Sequence, residues 1–477
     1  MTRTFFPGPG QSRVRIDTSC DVIVVGGGLA GLSCAVALAD QGRTVTLLEG
    51  AQELGGRARS WRHEPSGDDV DIGPHVVHSE YANFFAFLVR LGTQACFLWQ
   101  QDRMITVSTP RGLHRLRHRA LPTPFSLMPD MLRAPGLEPR DALSNMRITR
   151  AALRYSEDDL PRLDCRTGLE VLQDYRVSER MIDWFWRLAS MTVMNVPLER
   201  CSAAALMRVH SQLSGHHKLH FGFPTVGLSD LYVMQAAEVI ARADGNVRTG
   251  VAVTRVDSDT DWHVATLADG TRLQSRQMVL AIPPRELAQL RPDLGGSAFE
   301  PSQYKSVYLW FDRRFAPERF WTLLWHADRL NYDFYDLAQI RPRVSGGASL
   351  IASNIIFSHR AAALSDDAIV SATLRELAEA VPDSREARLL HSDVHHVPMA
   401  IPCPFVGTES RRAQTRTHVR GLFIAGDWTR TRLPCSMESA VRSGFLAAEA
   451  CLSESGEVAD IAIAPRPNDG LARLMQR

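Results

Sequence analysis

Residues 21–49 read DVIVVGGGLAGLSCAVALADQGRTVTLLE. The stretch parses as strand, glycine turn, helix and strand, and it ends on an acidic residue. Residues 21–25 are a short β-branched run suited to a buried parallel strand. Gly26, Gly28 and Gly31 then fill a G-x-G-x-x-G pattern. Gly26 permits the tight turn, Gly28 lets a pyrophosphate approach the backbone, and Gly31 lets the following helix pack close to the strand. That helix offers unpaired N–H groups and a positive dipole end to an anion, with Leu29 and Ala30 in its first turn. Residues 44–48 form a second strand, and Glu49 at its end is placed to bind a ribose hydroxyl. Glycine-rich loops also serve as plain turns, but here the strand, helix and acidic residue all stand at the spacing of a dinucleotide-binding unit.

Residues 53–60, ELGGRARS, follow closely. Gly55 and Gly56 permit close backbone approach, and Arg57 supplies a cation for phosphate. A Gly-Gly-Arg at this distance from the ribose acid resembles flavoproteins more than nicotinamide dehydrogenases.

The chain has 477 residues, enough for two or three domains. It is 45% hydrophobic and 22% charged, an ordinary globular composition. With a net charge of +1, no global field draws nucleic acid. The eight cysteines are scattered without a C-x-x-C pair, which reads as reduced thiols rather than a disulfide scaffold or zinc site. The N-terminus has no signal-peptide core, and no apolar run reaches the ~20 residues of a spanning helix. The expectation is a cytoplasmic protein that can lie on a membrane surface.

Further along, residues 81–91 (YANFFAFLVRL) predict a helix. Residues 247–256 and 278–282 predict strands, with a hairpin near Asp269 and Gly270. Residues 306–311 and 349–356 are further strand candidates, and residues 366–380 a helix. Residues 421–425 (GLFIA) read as a last buried strand, and residues 436–452 as a helix entered through polar residues. The ordering predicts a discontinuous α/β architecture. A Rossmann-type nucleotide-binding domain takes residues 21–80, 225–285 and 415–455. A mixed α+β substrate domain with a helical cap takes 81–224 and 286–414. A flexible arm (1–20) and a tail (456–477) flank them.

Four motifs spread over the chain resemble the flavin-dependent amine oxidase superfamily: GGGLAGL at 26–32, ELGGRARS at 53–60, VLAIPP at 279–284, and AGDWTRTRLPCSMESAVRSG at 425–444. The resemblance implies an FAD cofactor and an amine-oxidase-like fold. It implies that Gly426 and Asp427 contact the ribityl–phosphate region, that Met437 and Glu438 bring backbone N–H groups to the flavin pyrimidine, and that Val253 packs near the adenine. The family often has E-G-A where this chain has Glu438, Ser439 and Ala440. Within the superfamily the chain is most similar to plant-type phytoene and ζ-carotene desaturases and to hydroxysqualene dehydroxylases. The features are Asp71-Ile72-Gly73-Pro74-His75, the L-P-x-P of residues 120–133 (ALPTPFSLMPDMLR), and the Ser436–Gly444 tail. Gly73 and Pro74 are thereby implied to lie at the cofactor.

A flavin exchanges hydride while the protein positions the substrate and excludes water. The resemblance implies C–C desaturation or reductive dehydroxylation of a long apolar isoprenoid, in a tunnel with few charges. Trp184, Phe185, Trp186, Tyr308, Trp310, Trp321, Trp325, Tyr332, Phe334 and Tyr335 are candidates for its wall, although each taken singly suits an ordinary core. His75 is the candidate catalytic side chain, as proton donor or substrate anchor; the alternative is a histidine bonded to backbone. His75 and His78, and His216, His217 and His220, lack acidic or cysteine partners at ligand spacing, so no metal site is expected. Residues 111–133 set arginines beside an apolar run and are the candidate membrane-facing surface. The electron partner is left as quinone, oxygen or a reductase. The competing class is an amine or amino-acid oxidase using oxygen. It calls for an aromatic cage or a carboxylate-binding arginine, and no pattern here marks either.

Overall fold

In a computed structural model, residues 16–17, 20–296, 299–341 and 343–476 are described. A five-stranded parallel sheet organises one half, in the order Asn246–Arg248, Val45–Leu48, Val22–Val25, Gln277–Leu280, Leu422–Ile424. The three innermost strands are VTLL, VIVV and QMVL, almost wholly buried, as expected of a sheet covered on both faces. One face carries the helices Leu29–Asp40, Ala82–Leu91, Leu228–Arg242 and Met437–Glu454. The other carries a small antiparallel sheet of Val253–Ser258, His263–Leu267 and Arg272–Ser275.

The first and last helices of this half cross at glycines. A Cβ on Gly31 would lie 1.9 Å from the carbonyl oxygen of Gly26, and one on Gly444 would lie 2.3 Å from that of Ala30. Gly26 itself adopts φ +108° beneath Ala281. Glycine is required at these points by space as well as by conformation.

The other half is built on a seven-stranded sheet: Leu389–Pro402, Pro301–Phe311, Leu350–Ile355, Asp333–Asp336, Phe320–Leu323, Ile105–Thr109, Gly112–Leu116. It is antiparallel except where Phe320–Leu323 meets Ile105–Thr109. A cap of short helices, including Met146–Leu153 and Ala203–Gly215, closes over it around a separate apolar core. Within the cap, Ile182–Trp186 and Ser190–Met194 are π-helical turns.

Some expectations need correction. The run 247–256 is two strands in two sheets, because the chain turns at Gly250 with φ +69°. The helix Ala82–Leu91, expected in the substrate half, packs Phe84, Phe87 and Leu88 into the nucleotide-binding core. The tail beyond 455 includes the helix Gly470–Met475, tied down where the Asp469 N–H donates to the Gly215 carbonyl at 2.7 Å. Most of the arm 1–20 lies outside the described residues, but Ile16–Asp17 pairs in parallel with Arg272 and Leu273. No helix among the described residues is long and apolar enough to cross a membrane.

Gly444→Val drives two methyl groups into the backbone of Leu29–Asp40. Overpacking of this kind costs about 1–3 kcal/mol. Thermal denaturation is expected to show a lower Tm for Gly444→Val and little change for Ser453→Val, a small-to-large control at an exposed position of the same helix.

Candidate active site

A cavity of about 1030 Å³ runs from the carboxyl ends of the parallel strands into the space between the seven-stranded sheet and the cap. At its first end the loops converge. The Gly55 N–H donates to the Gly27 carbonyl at 2.9 Å, holding the second glycine loop against the first, and Gly28 and Gly56 face each other so closely that a Cβ on Gly56 would sit 3.2 Å from the Gly28 Cα. The helix Leu29–Asp40 starts at Gly28 with no side-chain cap and no acidic residue in its first turn, so its terminal N–H groups are free for an anion. Glu49 accepts from the Gly27 N–H at 2.6 Å and the Ala51 N–H at 2.8 Å, which fixes its carboxylate at the cavity edge.

Gly26, Gly28, Leu29, Ala30, Glu49, Gly55, Gly56, Arg57, Gly73, Pro74, His75, Val253, Gly426, Asp427, Met437 and Glu438 all line this cavity. Gly31 does not: it lies beneath, where the helix crosses the strand. Arg57 is not a free phosphate ligand, since it donates to Asp427 at 2.7 Å and to the Ala400 carbonyl at 3.1 Å. Burial lowers its pKa, but the charge and hydrogen bond of Asp427, with smaller contributions from Cys435 and Glu286, together outweigh this and the net shift is upward. The Glu438 side chain faces away from cofactor chemistry. It accepts from the Asn83 N–H at 3.0 Å and the Phe84 N–H at 2.7 Å, and so caps the helix Ala82–Leu91. Its backbone N–H, with that of Met437, opens the last helix at the cavity wall. Ser439, where the family often has glycine, sits on helical backbone and donates its hydroxyl to the Asp427 carbonyl at 2.9 Å.

A residue without a motif completes this end. The buried Arg412 donates to the carbonyls of Trp428 at 3.3 Å and Leu433 at 2.6 Å, and it pairs with Glu409 at 3.2 Å. It shapes the loop that carries Asp427, and nothing local in its sequence distinguishes it from a surface arginine.

His75 stands where the two ends of the cavity meet. Its Nδ1–H donates to the Gly73 carbonyl at 2.6 Å, which leaves Nε2 as an acceptor. Burial holds its pKa below the usual value, against the opposing charge of Asp71, so the ring is neutral and unsuited to the proton-donor role. Asp71 is bonded to the buried Arg341 and accepts from the Leu228 N–H at 3.0 Å. His78 is also depressed, to about 3, by burial and by His216.

The far end is apolar. Ile105, Val107, Leu116, Leu127, Leu188 and Val209 line it, with Trp184, Phe185, Phe221 and Phe320. Of the aromatic residues expected there, Trp184, Phe185 and Tyr335 face the cavity. Trp186, Tyr308, Trp310, Trp321 and Phe334 are core side chains, and Trp325 and Tyr332 border a separate cavity of about 170 Å³. Some of these rings have their polar edges satisfied inside the core: the Trp310 indole N–H donates to Asp68 at 2.8 Å, and that of Trp186 to Asn145 at 2.8 Å. The wall also holds residues with no sequence motif: Tyr304, Ser306, Asn354 and the buried carboxyl of Asp333.

An anion cradle on a parallel sheet, opening into a large apolar chamber, is the arrangement of a flavin-dependent oxidoreductase. The family model described as flavin containing amine oxidoreductase matches residues 29–452, and the chain belongs to that family. The chain is 24% identical over 464 residues to a 15-cis-phytoene desaturase of Solanum lycopersicum, covering 91% of this chain and 78% of the relative. It is 28% identical over 488 residues to a carotenoid phi-ring synthase of Streptomyces griseus, covering 94% and 91%. A solved structure of a putrescine oxidase variant superposes with a TM-score of 0.73 at 16% identity, covering 92% of this chain and all 100% of that one, a likeness of fold.

Glu49→Ala removes an acceptor for the Gly27 and Ala51 N–H groups. Flavin affinity is expected to fall roughly 10–100-fold, the effect of losing a charge-assisted hydrogen bond of about 1.5–3 kcal/mol. Fluorescence titration of the apoprotein with flavin checks this, and unchanged affinity refutes a role for Glu49 in binding.

Proposed function

We propose that this chain is an FAD-dependent desaturase of a long, carotenoid-type isoprenoid. The observation that carries this reading is the apolar chamber continuous with the dinucleotide cradle, together with the pairing of the buried guanidiniums beside it. Arg57 and Arg208 at the wall, and Arg412 behind it, are each committed to a carboxylate. The full-length similarity to phytoene desaturases supports the same substrate class.

In this reading the residues present fit FAD. The N–H groups of Leu29 and Ala30 beside Gly28 would hold the pyrophosphate, and Glu49 the ribose. Val253 would border the adenine, Gly426 and Asp427 the ribityl–phosphate region, and the backbone of Met437 and Glu438 the pyrimidine. When bound, the flavin supplies two-electron hydride chemistry. Gly73, Pro74 and the neutral His75 hold the substrate against it, and the apolar wall excludes water.

An insoluble substrate has to enter from a bilayer. The rim that suits this entry is apolar. Leu121 is exposed beside Pro122, Leu127 reaches the cavity, and the neighbouring helix Gly470–Met475 exposes Leu471 and Leu474. The two segments are joined where the Thr123 hydroxyl donates to the Asp469 carbonyl at 2.7 Å. The basic contribution is smaller than the arginines of 111–133 imply, because Arg115 is taken up by Glu318 and Arg119 by Asp130.

Anaerobic mixing of the flavin-loaded protein with liposome-borne phytoene is expected to bleach the oxidised flavin. Reoxidation of reduced flavin by hydroxysqualene would instead assign a dehydroxylase, and bleaching by soluble amines alone would overturn the isoprenoid reading. The paired variant Leu121→Asp with Leu474→Asp is expected to lose sedimentation with phosphatidylcholine liposomes while keeping its flavin spectrum. Unchanged sedimentation would refute docking through this rim.

A further inference from the structure

We propose that Asp333 is the proton-transferring residue of this reaction, taking the proton from the substrate carbon next to the one that loses hydride. The proposal rests on the isoprenoid reading above and adds a residue that no motif marks.

Asp333 begins the strand Asp333–Asp336 in the sheet that floors the chamber, lines the cavity, and is 4% exposed. The other buried carboxylates at the cavity wall are occupied. Asp427 is paired with Arg57, and Glu438 caps a helix. Asp333 has no ion pair among the described residues; its carboxylate accepts only from the Asn354 N–H at 3.1 Å and the Tyr335 hydroxyl at 3.4 Å. The titratable groups facing it are Tyr335 on its own strand and Tyr304 on Pro301–Phe311, and burial, with the Asp333 charge second, pushes both phenols upward. Neither is cationic, so only the bonds from the Asn354 N–H and the Tyr335 hydroxyl favour the carboxylate, and burial outweighs them. Burial pushes its pKa up to about 7.

The connection to the cofactor end is direct. Asn354, which bonds Asp333 through its backbone, donates its side-chain amide to the Pro74 carbonyl at 3.2 Å and accepts from the Ser306 hydroxyl at 2.8 Å. The backbone of Gly73 lies directly on this pair: a Cβ there would meet the Ser306 Oγ at 2.6 Å and the Asn354 Oδ1 at 2.8 Å. One residue therefore links the flavin-side loop to the carboxyl group.

The chemistry balances. A hydride leaves one substrate carbon, with its electron pair, for oxidised flavin. The carbocation left behind makes the neighbouring C–H acidic enough for a carboxylate to remove its proton. The electrons of that C–H bond become the new C=C bond, and the proton resides on an Asp333 carboxyl oxygen until it passes to water. A group that is half ionised near neutral pH is suited to accept and then release it.

Asp333→Asn in the flavin-loaded protein tests this, because the amide keeps the shape but cannot take up the substrate proton. Phytoene-driven bleaching is expected to slow about 10²–10⁴-fold, the usual range for general acid–base catalysis, with flavin content unchanged. Asp333→Glu is expected to restore part of the rate. The wild-type rate is expected to rise as pH passes about 7, the value to which burial pushes Asp333, and the Asn variant to show no such step. Bleaching of the Asn variant at the wild-type rate would overturn the proposal. An infrared titration of the substrate-free holoprotein gives an independent readout. A protonated-carboxyl band should disappear around pH 7 in the wild type and be missing from the Asn variant; a band that does not titrate overturns the proposal whatever the substrate does. If the band titrates but phytoene leaves the wild-type flavin oxidised, the substrate reading fails and the proton-carrying group stands.

Discussion

The whole arrangement depends on backbones that touch where side chains would hold them apart. Gly31 lets the first helix lie on the Gly26 turn, and Gly444 lets the last helix lie on the first. The second contact joins segments more than four hundred residues apart, as the Ser33 hydroxyl on Val441 also does. A parallel sheet needs helices on its faces, and here the covering layer is assembled from four separate stretches of chain. The cofactor cradle exists only after the last of them has docked. An added methyl at either glycine would therefore act on the cradle and the core together, since interiors this dense transmit displacement.

The second requirement is to fix two halves of different architecture without filling the space between them. Polar groups do this at the boundary. Glu438, at the start of the last helix, caps Ala82–Leu91 and so ties two helices of one covering layer together beside the cavity. Arg341, from the substrate sheet, reaches Asp71 and donates to the Asp69 carbonyl at 3.0 Å, tying the hairpin that leads into Gly73. Arg208 of the cap meets Glu409, which also holds Arg412 under the Asp427 loop. Breaking a buried pair of this kind leaves an uncompensated charge and costs about 3–5 kcal/mol. The walls are in this way braced by charges that neutralise one another, and the far end is left to apolar side chains such as Ile105, Val107, Leu188 and Val209.

Local chemistry was legible in the chain and distant pairing was not. The strand–glycine–helix–strand unit is encoded within residues 21–49, and each of its signals acts over a few positions, so its turn, helix and acidic terminus are found where expected. The helix Asp366–Ala380 is also plain, with Ser365 accepting from the Ala368 N–H at 3.3 Å and two aspartates in the first turn. The break at Gly250 is hidden because valines flank it on both sides, and only the positive φ divides the run. The π-helical turns of the cap have the same composition as ordinary helix. Arg57 was legible as a cation near the cofactor, whereas its partner Asp427 stands 370 positions away. Arg412, Asn354 and Asp333 carry no local mark at all, since their meaning comes from contacts such as that between Asn354 and Pro74, 280 positions apart.

Buried carboxylates without a cation occur elsewhere in this interior, as at Asp336 and Asp164, where hydroxyl and amide hydrogen bonds satisfy them away from the cavity. Asp71, Asp427, Glu409 and Glu438 each have a guanidinium or a helix terminus. A cation supplied to Asp333 would hold it ionised through the physiological range and add a charge to the chamber, to the detriment of a hydrocarbon ligand. Replacement by an apolar residue would spare the fold the desolvation of an acid but would leave the buried Asn354 N–H without its acceptor. An acid without a cation stays neutral at low pH, and the fold opposes its ionisation, so its contribution to stability falls as pH rises from the unfolded value of 3.8 toward about 7. The group is thus a buried carboxyl at the cavity wall whose charge can change near pH 7, and that capacity is what apolar side chains lack.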